Sequence, residues 1–184
     1  QEDPAPVVAM RTSPTNIGLY LGATVAARDL GWLGMLETVE RVEATLTTMG
    51  RLERFRGHFY NWYETTDLRP LEPRYVSTVD SGNLASQLLV LGNACRGALE
   101  RPLFEHEAFA GIEDAVLLLR EATSALADDR RTQTVRLGHL DQACEALLIM
   151  LRDPPRTVAD WVVRLGLLAA QADALVEIAR TLTV

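Results

Sequence analysis

At 184 residues, with 48% apolar and 23% charged side chains, the chain can build one domain with a real core or one lobe of a larger one, which excludes a disordered segment. Its 18 basic residues, all arginine, stand against 25 acidic ones for a net charge of −7, and the arginines interleave with acids instead of clustering, which argues against nucleic acid as a partner. No window approaches the ~18 consecutive apolar residues of a membrane span, and Gln1-Glu2-Asp3 lacks the positive-then-apolar order of a signal peptide, so the piece reads as soluble.

Residues 1–13, with Pro4 and Pro6, read as an extended lead-in. Ser13 as N-cap and Pro14 at the first helical position predict a helix from about Pro14 to Asp29. Its apolar residues lie all round the cylinder, which predicts burial on several sides, and Gly18 and Gly22 leave room for a close neighbour. A second helix, about Met35 to Phe55, carries Leu36, Val39, Val42, Leu46 and Met49 on one stripe, with Glu37, Glu40, Arg41 and Glu43 opposite. One buried helix beside one amphipathic helix is the alternation expected of inner and outer layers in an α/α toroid, although two helices do not establish a ring.

Between Gly57 and Gly82 the helical period breaks. His58 to Tyr63 and Arg74 to Val79 are aromatic and β-branched runs around a proline-punctuated turn from Asp67 to Pro73, which predicts a short irregular β-hairpin or paired extended loops. A buried helix then starts near Gly82 or Asn83 and runs to about Leu99. Three more helices follow, at about 105–127, 132–152 and 157–182, joined by short polar connections at 128–131 and 153–156. The last two carry seven-residue patterning, Leu137, Leu140, Cys144, Leu147, Leu151 and then Val158, Trp161, Leu165, Leu168, Ala172, Leu175, Ala179, Leu182, so they should fold back as an antiparallel hairpin with these stripes as its packing seam. Cys95 and Cys144 both fall in apolar helical runs, read as small buried hydrophobes in a reducing compartment. The fold class is mainly α: a partial α/α toroid with a short β-hairpin and a C-terminal helical hairpin.

No nucleophile elbow, phosphate loop or paired-cysteine metal site is present, and His58, His106 and His139 are scattered, so no catalytic or metal-binding residue is assigned. Polar and aromatic residues do gather at loops beside buried helix starts, at 11–16, 61–64 and 80–83. That combination suits carbohydrate, because an aromatic face stacks on the C–H face of a pyranose while Asn, Asp, Arg and Ser meet its hydroxyls directionally. The plainer reading is open beside it: Ser13 and Asp80 or Ser81 as helix caps, Arg11 clamped to Asp80, and Trp62 as core.

The strings Gln1-Glu2-Asp3-Pro4, Arg11 to Leu19 (RTSPTNIGL), Leu52 to Tyr63 (LERFRGHFYNWY) and Tyr75 to Leu84 (YVSTVDSGNL) resemble the cyclic β-1,2-glucan synthase family. The resemblance is dense over the first half of the chain. It implies a fragment of a large bacterial inner-membrane enzyme that polymerises UDP-glucose through β-1,2 links and cyclises the product without a bound cofactor. The fragment would lie on the cytoplasmic side, at the start of a middle α/α-toroid transglycosylase region, with residues 1–103 in the sugar-binding toroid and 104–184 as a helical extension. Its partners would be β-1,2-glucan, the remaining regions of the parent and, through exposed inner-helix surface, a second copy.

Carried onto this sequence, the resemblance places Arg11, Thr12, Asn16, Asn61, Trp62, Tyr63, Asp80, Ser81 and Asn83 on rim loops near the glucan cleft. Glu64, the other loop carboxylate, joins them as a sugar or structural contact. Retaining transfer needs two carboxyl groups ~5 to 5.5 Å apart, and the resemblance puts both beyond Val184. Met10, Glu64 and Ser86-Gln87 stand where the family pattern has His, Asp and Gly-His, departures that bear on subsite detail. A different class of function is also open: a helical scaffold module whose C-terminal hairpin docks other regions or a second copy.

Overall fold

The computed structural model describes residues 8–102, 106–124, 131–153 and 155–180. Residues 1–7 of the predicted lead-in, residues 125–127 of the predicted fourth helix, residues 128–130 of the connection after it and the seam residue Leu182 lie outside them. The described chain is mainly helical, with six helices and four two-residue strands. It divides into two compact units, one of residues 1–29 and 33–102, the other of residues 30–32 and 103–184.

The first unit contains β1 (Arg11–Thr12), α1 (Pro14–Asp29), α2 (Met35–Arg51), β2 (Arg54–Phe55), β3 (His58–Phe59), β4 (Tyr63–Glu64) and α3 (Thr78–Glu100). Helix α1 starts where the sequence says: Ser13, only 3% exposed, accepts a hydrogen bond from the Asn16 amide at 3.2 Å. Helix α3 starts earlier than predicted. Its cap is Ser77, whose Oγ accepts from the Asp80 amide at 3.1 Å, so Asp80 and Ser81 sit in the first turn. The run Val76-Ser77-Thr78-Val79 looks like strand by composition, and the Ser-x-x-acid spacing of a capping box overrides it.

Helices α1 and α3 lie side by side and run parallel. Thr15 bonds to Asp80 near both N-termini, and one turn further on Gly18 faces Leu84 and Gln87, with Gly22 again against Gln87. A Cβ on Gly18 would come within 3.2 Å of Gln87 Cβ, so the small residues set the close approach anticipated from the sequence. Leu21, Val25, Met49, Leu84 and Leu91 form the core here, with Ile17, Val42, Phe59, Leu88 and Ala94 packed against it.

Several expectations for this unit are corrected. Burial of α1 and α3 is one-sided: Leu19 and Tyr20 on α1 and Leu89, Val90 and Leu99 on α3 are exposed, the last two-turn stretch reaching 88% at Leu99. On α2 the buried residues are Thr38 and Met49, whereas Leu36, Val39 and Leu46 of the predicted stripe face outward. That helix also stops at Arg51, because Leu52 turns to extended backbone and buries its side chain. Cys95 is exposed, since the buried face of α3 is the Leu84–Leu91 line. The β structure comes in two ribbons: β2 pairs with β3 across Arg56-Gly57, and β4 pairs antiparallel with β1, Arg11 opposite Glu64 and Thr12 opposite Tyr63. Arg74 to Val79 supplies no strand.

The second unit holds α4 (Glu107–Ser124), α5 (Arg131–Leu151) and α6 (Val158–Arg180). Six residues separate α5 from α6 and reach at most ~20 Å, too short to run back along a 21-residue helix of ~31 Å. Since the two helices pack together, they are antiparallel, as the patterning predicts. The seam is narrower than predicted: Leu140, Cys144, Leu147, Leu151, Trp161, Leu168 and Leu175 are buried, but Val158, Leu165 and Ala172 are exposed. Phe109 of α4 meets Trp161 with ring centroids 4.8 Å apart. Arg120 ties α4 to α5 through Asp141 at 2.8 Å and Glu145 at 3.2 Å, half-exposed pairs contributing about 0–1 kcal/mol. The turn at 30–32 belongs to this unit. A Cβ at Gly31 would overlap the Glu107 carbonyl, one at Gly111 would overlap Gly31, and Trp32 Nε1 donates to Asp114 Oδ2 at 3.3 Å. Among the described residues, no helix is long and apolar enough to cross a membrane.

Candidate functional site

Three loops that are distant in sequence meet at the shared N-terminal end of α1 and α3. The joint is the Asp80 carboxylate: Thr15 Oγ1 donates to Oδ1 at 2.5 Å, and the Asn61 side-chain amide donates to Oδ2 at 2.9 Å. The orientation of that amide follows from its partners. With nitrogen toward the carboxylate, its oxygen accepts from Trp62 Nε1 at 2.7 Å and from the Tyr75 hydroxyl at 2.6 Å. Asn83 Nδ2 donates to Thr15 Oγ1 at 3.1 Å, and the backbone joins in as Asn61 N donates to the Tyr75 carbonyl at 2.9 Å. Among the described residues no buried side-chain nitrogen or oxygen is left without a partner.

Electrostatics agree with this geometry. Hydrogen bonds from the Ser77 and then the Thr15 hydroxyl hold the Asp80 carboxyl below the usual aspartate range against a smaller opposing effect of burial. Two parallel helices also bring two positive dipole ends to one place, where a carboxylate is favourable. A group stabilised as an anion is suited to holding structure or accepting hydrogen bonds; it is the wrong kind of carboxyl for a general acid near neutral pH.

Around the joint, the other predicted residues divide by exposure. Asn61 is buried at 6% and Tyr63 at 0%. The Tyr63 hydroxyl donates to the Glu53 carbonyl and accepts from the Tyr60 amide, both at 2.7 Å, so its hydrogen-bonding capacity is used inside the fold; burial pushes its pKa up. Trp62 is half-buried, not core, and carries the Arg11 guanidinium 4.7 Å from its ring centroid. Arg11 therefore pairs with Trp62 in place of the anticipated clamp on Asp80. Arg11, Asn16 and Asn83 are exposed at the rim, while Thr12 and Ser81 are half-buried, Ser81 Oγ donating to the Ser77 carbonyl at 2.8 Å. Glu64, also half-buried, accepts from the Thr65 amide at 3.0 Å. Thr12 additionally lines a groove of about 530 Å³ bounded by Ile17 and Tyr20 of α1 and Arg41 to Met49 of α2.

Sequence reasoning placed Thr15 in the polar stretch 11–16 without assigning it a role, and did not single out Tyr75 or Ser77. All three lie inside the strings that carried the resemblance, and the signal that could have found Ser77 is its three-residue spacing to Asp80. Among the described residues, no group of three or more His, Cys, Asp or Glu side chains is arranged to hold a metal ion.

No family model matches the chain. Over 133 residues, 72% of its length, it is 50% identical to the cyclic beta-(1,2)-glucan synthase NdvB of Rhizobium meliloti (strain 1021), and the chain spans only 5% of that protein. Identity at this level over a stretch this long reflects common descent, so the chain is homologous to one short segment of a cyclic β-1,2-glucan synthase, the family that its sequence resembles.

Proposed function

We propose that the chain is a segment of a cyclic β-1,2-glucan synthase and supplies one wall of the cleft in which the parent enzyme holds its glucan. The observation that supports this reading is the convergence of the three loops on Asp80, which presents Arg11, Trp62, Asn16 and Asn83 at one rim. In this reading Asn61, Tyr63 and Asp80 keep the rim rigid, and the exposed or half-exposed members, with Thr12, Glu64 and Ser81, meet sugar. A preformed aromatic face beside directional donors is what a pyranose requires.

Glucosyl transfer itself falls to other parts of the parent. The helical units would belong to an α/α toroid completed by further helices, on the cytoplasmic side of the inner membrane, and the remaining regions of the synthase would be the segment's partners. Calorimetric titration of the 184-residue chain with linear β-1,2-glucan tests the reading: saturable heat that Trp62→Ala abolishes is expected, and no heat at millimolar sugar overturns it. Incubation with the same glucan should yield neither cyclic nor shortened products; turnover would place a catalytic carboxylate pair within these residues.

A second reading has its own observation. Leu89 is 71% and Leu99 88% exposed on α3, apolar surface of the kind that drives association. As a scaffold, the chain would dock other regions of its parent or a second copy. A stable dimer in sedimentation together with silence in the sugar titration would favour this role.

A further inference from the structure

Beside the Asp80 joint lies a second concavity, of about 480 Å³, that shares only Tyr75 with the joint and is lined by none of the residues assigned to sugar contact above. It is lined by Phe55, Arg56 and His58 of the β2–β3 ribbon, by Tyr60, and by Arg74 and Tyr75 of the segment entering α3. Its size lies within the roughly 300–1,000 Å³ of small-ligand sites.

Three features distinguish it from an ordinary surface dip. First, two aromatic side chains, Phe55 and Tyr75, remain 52% and 50% exposed in the lining of one concavity. Second, the cations are placed. Arg74 is fixed by Glu72 at 2.9 Å and Glu53 at 3.3 Å, and Arg56 lies 5.4 Å from the Phe55 ring centroid with no carboxylate partner among the described residues. Third, the turn carrying Arg56 is strained. A two-residue hairpin turn with positive φ at both centres, here 50° at Arg56 and 88° at Gly57, favours Asn or Asp before the Gly, and a long side chain held there points to a use for it.

We infer that this groove is a second pyranose subsite, in which a glucose unit stacks on Phe55 and Tyr75 and its hydroxyls accept hydrogen bonds from Arg56 and Arg74. The inference rests on the glucan reading above and extends it away from Trp62. Tyr75 links the two places: its ring lines the groove while its hydroxyl donates to Asn61, so the subsite wall is held by the same joint that holds the rim. Aromatic faces beside donor-only guanidinium groups, the charge of Arg74 offset by Glu72 and Glu53 and no acid in the lining itself, suit a sugar, which brings many acceptor oxygens and an apolar C–H face.

Phe55 is the clean probe, because it is half-exposed and outside the Asn61 network. The 184-residue chain is titrated with linear β-1,2-gluco-oligosaccharides, with circular dichroism confirming that each variant is folded. Phe55→Ala and Phe55→Leu are expected to weaken binding about tenfold, the scale of losing one aromatic anchor, and Phe55→Tyr to retain it. If Phe55→Leu binds like the parent chain, the face is merely apolar, suited to a peptide, and the subsite is overturned. Loss with Trp62→Ala but not with the Phe55 variants overturns the subsite and leaves the rim reading standing. Loss with Phe55→Ala but not with Trp62→Ala supports the groove and overturns the rim. Absence of binding by the parent chain overturns both.

Discussion

The two units solve the problem of holding helices together in different ways. In the second, Phe109 and Val116 of α4, the Leu140–Leu151 line of α5 and the Trp161, Leu168 and Leu175 line of α6 make one apolar cluster, with arginine pairs as an outer tie. In the first, a smaller apolar cluster is joined to a polar network that closes on one carboxylate and spans three loops. Apolar contact is non-directional and tolerates sliding, whereas a hydrogen-bonded joint fixes positions to tenths of an ångström. The first unit therefore fixes its loop side chains through a polar joint, and the second gains most of its cohesion from apolar area.

Substitutions sharpen or break this contrast. The largest effect is expected from Trp161→Ala, which empties the centre of the apolar cluster and should cost about 3–5 kcal/mol. Hydrogen exchange should then rise in peptides from 107–180; an equal rise across 35–100 would mean that the two cores melt as one. Next is Tyr63→Phe, which leaves the part-buried Tyr60 amide and Glu53 carbonyl without their partner and should cost about 1 kcal/mol, seen as faster exchange around 53–63. A cost near zero would show the Tyr63 tie between residues 53 and 60 to be dispensable.

Acid provides a gentler probe. Because the folded pKa of Asp80 lies below its unfolded value, its contribution is complete above about pH 4 and disappears as the pH falls through the folded value. Denaturant midpoints for residues 8–102 should fall over that window, and Asp80→Asn should remove part of the dependence. The smallest effect is expected at the cysteines: Cys95→Ser on the exposed side of α3 should change stability by no more than about 0.5 kcal/mol. A thiol reagent should label Cys95 well before Cys144, whose thiol is buried and raised in pKa by desolvation.

Helix existence was legible from the sequence, and in α1 the boundaries were too, because Ser13, Pro14 and Asp29 announce them. The antiparallel pairing of α5 and α6 followed from period and loop length. What escaped was anything decided by competition between neighbouring signals. Val76 to Val79 carried strand composition and a helix cap at once, and the cap prevailed; Arg74 to Val79 therefore gave no hairpin arm. The face that each helix buries was also illegible for α1, α2 and α3, since nothing in a single sequence says which of several apolar stripes finds a neighbour. At the candidate site, the three loops could be named, but the Asp80 centre depends on amide and hydroxyl directions that spacing does not encode.

The parallel run of α1 and α3 has a consequence for how such a segment can vary. Leu52 leaves α2 in extended backbone and Ser77 opens α3 with its own cap, so everything between them is an excursion with two independent anchors. Its ties to the helix pair include the packing of Phe59 on their core, the pairing with Arg11–Thr12 and the Asn61 handhold on Asp80. A replacement excursion that honours those three could be grafted at 53–76 as a cassette, changing the side chains offered to a ligand while the helices beneath stay in register.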